Sequence, residues 1–262
     1  MNPSARTLRV LRACTVLCLA VATAAAGNTP DPDLAWKQYL AADTQVEPRY
    51  RFPHANCFRA AAATHDLPET LLLAVARGES DFEPTARSKA NAHGVMQILW
   101  PGTAHHLGIY RLSALYDPCT NIDAGARYLK EMLARFDGNL HLALAAYNYG
   151  PERIARNPDN IPGGARWYSS YIYRHLEYVL GDRKQSGSVS LYSALGRSTL
   201  ISFGEPYRAE AFVAGLEARA PGLELHWFRK GVGRFSVVLV YEDRDAFDRS
   251  ASLLRKAGFP IG

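Results

Sequence analysis

Residues 71–97 read LLLAVARGES (71–80), DFEPTARSKANAH (81–93) and GVMQ (94–97), and their reading decides the fold. Leu72, Val75 and Ala76 recur at helical spacing, and Leu71, Leu73 and Ala74 fill the other faces. A helix that is apolar nearly all round belongs in a core. This one ends in Gly78-Glu79. A carboxyl at the end of a core helix is costly to ionise, because it leaves water and faces the negative end of the helix dipole. That setting suits a proton donor, so Glu79 is the candidate catalytic acid. The plainer reading is a helix-ending glutamate turned to solvent.

Around this stretch the chain reads as a succession of helices. Asn56–His65 is Ala-rich and helical, Pro68 fits the first turn of the next helix, and Asp81–His93 is a polar loop. Asp117-Pro118 opens a helix whose stripe is Ile122, Ala126, Leu129, Leu133 and Phe136. Asp137-Gly138-Asn139 is a turn, Leu140–Tyr149 is helical, and Gly150-Pro151 stops it, which puts Tyr147 and Asn148 in the final turn. A short helix follows around Ile154. A last one, roughly Ala165–Leu180, carries Tyr168, Tyr171, Ile172, His175 and Val179 on one side.

The flanks differ in character. Arg6, Arg9 and Arg12, the apolar run Val10–Ala20 and the small residues Ala24-Ala25-Ala26 read as a cleaved signal peptide over residues 1–26. Export is the expectation. Residues 27–53 carry four prolines and read as an extended N-terminal arm packed on the next domain. Net charge is +5, and without the three signal arginines 27 basic residues face 25 acidic ones, too balanced for a nucleic-acid partner. Outside the signal, Cys57 and Cys119 remain, either a disulfide or two separate buried thiols. No Cys-x-x-Cys or paired-His spacing accompanies them, and the adjacent His105 and His106 point to different sides of a helix, so neither a metal nor a cofactor is expected.

Gly181–Ser190 reads as a linker. Beyond it, Thr199–Phe203 reads as a strand, Glu205–Ala220 as a helix with Phe212, Val213 and Leu216 inward, Leu223–Phe228 and Phe235–Tyr241 as strands around Gly231-Val232-Gly233, and Arg244–Lys256 as a second helix. The order β-α-β-β-α is ferredoxin-like, with a short last strand expected at Phe259–Ile261. The fold class is therefore α+β in two domains: a mainly α domain over residues 54–180, then a small ferredoxin-like domain over residues 191–262.

Three motifs in order carry a family resemblance: Glu79-Ser80, Gly94-Val95-Met96-Gln97, and Ala146-Tyr147-Asn148-Tyr149-Gly150-Pro151. They resemble the signatures of the soluble lytic transglycosylases, and Asp117-Pro118, Asn121-Ile122, Gly125 and Tyr128-Leu129 extend the likeness, over about Ala55–Leu180. The departures are Val95, Asn91, the extra Trp100 before Pro101, and Ala165-Arg166, where the family often has a Glu-Thr pair. The resemblance implies a lysozyme-like fold and a periplasmic enzyme that cleaves peptidoglycan glycan strands between N-acetylmuramic acid and N-acetylglucosamine. Glu79 would act as acid and then as base, leaving 1,6-anhydro-muramyl ends. Substrate contacts would come from Ser80, Met96, Gln97, Tyr147, Asn148 and Tyr171, with plain core packing an equal reading of Met96. A phenol, Tyr147 or Tyr171 with Tyr168 as rival, would hold the Glu79 carboxyl. Asp81 and Glu83, in the polar loop, read as solvated or helix-capping.

The last segment resembles a SPOR domain, which binds glycan stripped of peptides, on Gly231, Arg234-Phe235-Ser236-Val237-Val238, Leu254 and Ala257-Gly258-Phe259. An anonymous α+β interaction domain reads the same residues equally well. Two other functions stay open: a lysozyme-type muramidase that uses water, and a non-catalytic wall-binding component of a secretion or conjugation assembly.

Overall fold

A computed structural model describes residues 31–42, 47–181, 192–230 and 234–259. The expected signal segment lies outside these, as do residues 182–190 of the expected linker, the turn at Gly231–Gly233 and the end of the expected last strand.

The arm contains a helix, α1 (Pro32–Ala41), where an extended segment was expected. Local sequence explains it. The Asp31 side chain accepts from the Asp33 N–H, and Pro32 sits at the first helical position, where its missing N–H costs nothing. Trp36 is buried and donates to Ser169 Oγ over 2.8 Å, and Tyr39 meets Thr70 Oγ1 at 2.8 Å. These bonds fasten α1 to the helical domain.

That domain comprises α2 (Ala55–His65), α3 (Glu69–Ser80), a two-stranded ribbon of β1 (Ala92–His93) and β2 (Ile98–Leu99), α4 (Gly102–His106), α5 (Pro118–Arg135), α6 (Leu140–Tyr149) and α7 (Gly163–Leu180). Asp117 caps α5 by accepting from the Thr120 N–H, with Pro118 at the first position; Asn139 caps α6 through the Leu142 N–H. A single 3₁₀ turn, Pro151–Arg153, stands where a short helix around Ile154 was expected.

The core sits on α3. Every residue from Thr70 to Glu79 is buried, because the helix is apolar on all faces and packed on all of them. Gly78 permits its closest approach: a Cβ there would lie 2.6 Å from Ile172 Cδ1 of α7 and 3.1 Å from Tyr171. Cys57 and Cys119 form a disulfide that ties α2 to the start of α5.

The C-terminal segment adds β3 (Gly196–Phe203), α8 (Pro206–Arg219), β4 (Leu225–Arg229), β5 (Phe235–Tyr241) and α9 (Arg244–Lys256). The sheet is antiparallel in the order β3-β5-β4, with Leu225 opposite Leu239 and Arg229 opposite Phe235. From Asp31 on, the described residues pack as one compact unit, and one apolar core runs from Trp36 through α3 and α7 to Trp227, Phe228 and Phe235. A smaller cluster of Leu216, Leu223, Leu225, Leu239 and Leu254 closes the far face of the sheet. The C-terminal segment therefore rests directly on α7. The seam is aromatic: Trp167 stacks on Tyr171 and Trp227 with ring centroids 5.0 and 6.0 Å apart, and the Arg174 guanidinium lies 3.7 Å over the Trp227 ring.

Candidate active site

Glu79 occupies the last turn of α3, and its side chain is 3% exposed at the floor of a cleft of about 1220 Å³. After it the chain turns sharply, with Asp81 and Phe82 both in the left-handed region at φ of 55° and 65°. The turn carries the polar loop away and leaves the carboxyl facing the cleft.

Tyr168 holds that carboxyl. Its hydroxyl donates to Glu79 Oε1 over 2.5 Å. Tyr171 instead donates to the Gly78 carbonyl at 3.0 Å, and Tyr147 to the Met96 carbonyl at 2.8 Å. Of the three phenols weighed from sequence, Tyr168 is the partner, because its position on α7 lies opposite the last turn of α3. Burial, and then the neighbouring Glu79 carboxylate, push the Tyr168 and Tyr147 phenols well above the usual range. Both keep their protons at any working pH, and Tyr168 stays a donor.

The second wall comes from residues 94–97. Asn121, fully buried on α5, accepts from the Met96 N–H at 2.6 Å and donates to the His93 and Leu115 carbonyls at 2.9 Å each. Three bonds on one amide fix the loop. Gly125, one turn further along α5, has Met96 against it; a Cβ there would stand 2.5 Å from Met96 Cβ. Met96 is consequently core rather than cleft wall. Gln97 lines the cleft in the left-handed conformation at φ 52°, its amide donating to the Gly94 carbonyl at 2.9 Å. Its amide oxygen carries no protein hydrogen bond among the described residues. Ser80 also lines the cleft, and its hydroxyl donates to the Val95 carbonyl at 2.7 Å, which sews α3 to this loop. Tyr147 and Asn148 reach the cleft from the end of α6. Tyr171 is buried behind it.

Asp81 and Glu83 part company. The Glu83 carboxylate accepts from the Thr85 N–H and hydroxyl, which hold it below the usual carboxylate range; this is a loop cap. Asp81 is not solvated as expected. It accepts from Tyr192 Oη at 2.6 Å and pairs with Arg197 at 3.4 Å, both from the C-terminal segment.

That segment also supplies a cation no sequence signal announces. Arg229, at the end of β4, places Nη2 3.2 Å from Glu79 Oε2, with Nη1 3.5 Å from Asn148 Oδ1. With the Asn148 amide oxygen turned toward it, both guanidinium nitrogens lie 3.1 Å from that oxygen. Burial works against the Arg229 charge, but the Glu79 carboxylate and the phenols of Tyr168 and Tyr171 outweigh it, so its pKa stands above the usual arginine value. Among the described residues, no cluster of His, Cys, Asp and Glu is arranged to hold a metal ion.

One buried carboxyl with a phenolic donor, beside a loop amide and an asparagine in a long cleft, fits proton transfer to and from a bound polar ligand. The chain matches a family described as the Transglycosylase SLT domain over residues 56–168. The matched segment is similar to an SLT domain. It contains Glu79, the 94–97 loop, Asn148 and, as its last residue, Tyr168. Over 116 residues the chain is 34% identical to the soluble lytic murein transglycosylase of Escherichia coli, covering 42% of this chain and 18% of that protein. It is 32% identical over 123 residues to the transglycosylase of Enterobacteria phage PRD1, covering 47% of this chain and 43% of that one. It is 33% identical over 155 residues to the membrane-bound lytic murein transglycosylase C of Haemophilus influenzae, covering 51% and 43%. Among solved structures, the 70-kDa soluble lytic transglycosylase of Escherichia coli is similar at a TM-score of 0.43 and 29% identity, covering 50% of this chain and 25% of that one. The chain thus spans about a fifth of the length of its Escherichia coli relative. Arg229 and the rest of the C-terminal segment lie beyond the matched residues.

Proposed function

We propose that the protein is an exported peptidoglycan lytic transglycosylase. It cleaves the β-1,4 bond between N-acetylmuramic acid and N-acetylglucosamine, with Glu79 acting first as acid and then as base. The observation that carries this reading is the setting of Glu79: a buried carboxyl on the floor of a long cleft, inside the matched segment, held by Tyr168. Two-carboxylate glycosidases need a second acid at a defined separation. Asp81 is tied to Tyr192 and Arg197, and Glu83 caps its own loop. One acid is enough when the substrate supplies the rest. Glu79 gives a proton to the leaving glycosidic oxygen while the muramyl acetamido group assists at the anomeric carbon. The ionised Glu79 then takes the proton of the muramyl C6 hydroxyl, which closes the 1,6-anhydro ring, and no water is consumed.

Around that step Gln97 and Asn148 offer amides to the N-acetyl and hydroxyl groups of the glycan. Tyr168 steadies the carboxyl through both protonation states. The C-terminal segment is a ferredoxin-like module in this reading, supported by its β-α-β-β-α order and by β5 lying between β3 and β4. Export is consistent with the Cys57–Cys119 disulfide, which belongs to an oxidising compartment.

Mass analysis of the muropeptides released from sacculi tests the proposal. Anhydro-muramyl ends from the wild type, and none from Glu79→Gln, are expected. Reducing ends would make the enzyme a muramidase, and solubilisation by Glu79→Gln at the wild-type rate would remove Glu79 from the chemistry.

A further inference from the structure

Arg229 stands between the acid and the open cleft. It is 150 residues from Glu79 in sequence and belongs to a different layer of the fold. Its side chain is 25% exposed and that of Glu79 3%, so the guanidinium is on the solvent side of the pair. Glu79 Oε1 accepts from Tyr168 and Oε2 accepts from Arg229. Each oxygen thus carries a donor from the protein, and the guanidinium fills the approach to Oε2.

The main chain of Arg229 is not free to move away. Its N–H donates to Tyr171 Oη at 3.1 Å, and the Tyr171 hydroxyl donates to the Gly78 carbonyl at 3.0 Å. This two-bond relay fixes the end of β4 against the residue next to Glu79. The stack of Trp167, Tyr171 and Trp227 seats the strand on α7. The side chain is different. It borders a large cleft, and Asn148 offers it an uncharged acceptor. A rotation about the side-chain bonds can keep the Asn148 contact and give up Glu79.

We infer that Arg229 is a positioning residue contributed by the C-terminal segment, one that covers Glu79 in the resting cleft and swings off it toward Asn148 before the acid works. The inference rests on the proposed role of Glu79 as the proton donor. It makes the C-terminal segment a part of the active site rather than a separate ligand-binding appendage. It also explains why β4 is held so tightly at this point: a gate side chain works only from a fixed hinge.

The test uses the full chain with Arg229→Gln, Arg229→Ala and Arg229→Lys. Glu79 is labelled with a water-soluble carbodiimide and a small amine, and peptide mass mapping gives the rate at that carboxyl. At least fivefold faster labelling is expected in Arg229→Gln and Arg229→Ala, with Arg229→Lys between them and the wild type. Asp81 is the internal control, since its partners Tyr192 and Arg197 are untouched. Its rate stays constant if the variants remain folded. Initial turnover on sacculi is expected to rise severalfold in Arg229→Gln through kcat, with KM little changed. Equal labelling of Glu79 in wild type and variants overturns the inference. So does a loss of turnover in Arg229→Gln, which would make the guanidinium a substrate-binding group. If Glu79 is uncovered in the variants and no form of the protein, wild type included, acts on sacculi, the gate stands and the proposed activity falls.

Discussion

The Tyr168 hydroxyl reaches across 89 positions of sequence to donate to Glu79 Oε1 at 2.5 Å, and it is the one phenol of α7 that does so. Tyr171, one turn on, spends its hydroxyl on a backbone carbonyl. A hydrogen bond to a charged partner contributes about 1.5–3 kcal/mol. Lost from a transition state in which Glu79 changes charge, that amounts to roughly 10–100-fold in rate. Tyr168→Phe is therefore expected to lower kcat by that factor and leave KM close to wild type. Tyr171→Phe is expected to act on stability, because it cuts the relay between Gly78 and Arg229. Steady-state kinetics beside thermal melts separates the two effects.

The neighbouring acids give a contrasting pair. Glu83→Gln removes a loop cap on an exposed residue and is expected to keep turnover within about twofold of wild type, since surface substitutions rarely exceed about 0.5 kcal/mol. Asp81→Asn breaks the contact with Arg197 and weakens that with Tyr192 at a largely buried junction. It is expected to cost about 1–3 kcal/mol of stability, by leaving buried polar groups poorly matched. Urea unfolding of both variants decides this; a stable Asp81→Asn with no turnover would mean that the aspartate takes part in the reaction.

The disulfide closes a loop with its cysteines 62 positions apart. Closing such a loop lowers the entropy of the unfolded chain and stabilises the fold by about 2–4 kcal/mol. Cys57→Ser with Cys119→Ser is expected to lower the melting temperature without altering cleavage products, because neither cysteine borders Glu79. An unchanged melting temperature would show that the bond contributes nothing to the stability of the fold.

Local rules made most of the helical domain legible. The all-apolar α3, the Asp117-Pro118 start of α5 and the Gly150 stop of α6 are statements about nearest neighbours, and the structure places these helices within a residue or two of expectation. Asp31-Pro32 is the same kind of signal, but in a proline-rich stretch it was outweighed by composition, and α1 was missed. Motifs on helix ends pointed to residues that the fold brings together: Glu79, Gln97, Tyr147 and Asn148 all border one cleft. Met96 reads from sequence equally as core or as a substrate wall, and Gly125 draws it inward; Tyr171 reads as a substrate contact, and its bond to the Gly78 carbonyl keeps it buried behind the cleft. Arg229 was invisible. A strand-ending arginine 150 residues from the acid reaches it only because Trp227 and Phe228 dock β4 on α7, and nothing in its own neighbourhood encodes that docking.

The same seam makes stability depend on pH. His226 on β4 lies against the Tyr178 ring at 4.6 Å and faces Glu224 at 3.5 Å, with Arg77 and Arg174 close by. Burial, helped by the two arginines and opposed by Glu224, pulls its pKa down to about 4. His175 on α7, fully buried beside Arg77, is pulled well down by the same causes. Both are neutral in the folded protein and take a proton more readily when unfolded. Between an unfolded value near 6.5 and a folded value near 4, the unfolded chain binds more protons, so stability is full above the unfolded pKa and declines as pH falls. At pH 5 His226 alone lowers it by about 2 kcal/mol relative to pH 7. Glu177 on α7, pushed up by burial, works in the opposite sense and reduces the total. The urea midpoint is expected to drop between pH 7 and pH 5, and His226→Phe, which keeps a ring against Tyr178 but cannot take a proton, is expected to flatten that drop. An identical pH slope in wild type and His226→Phe would show that the histidine reaches water in the folded state, and with it that β4 is not seated on α7 as described.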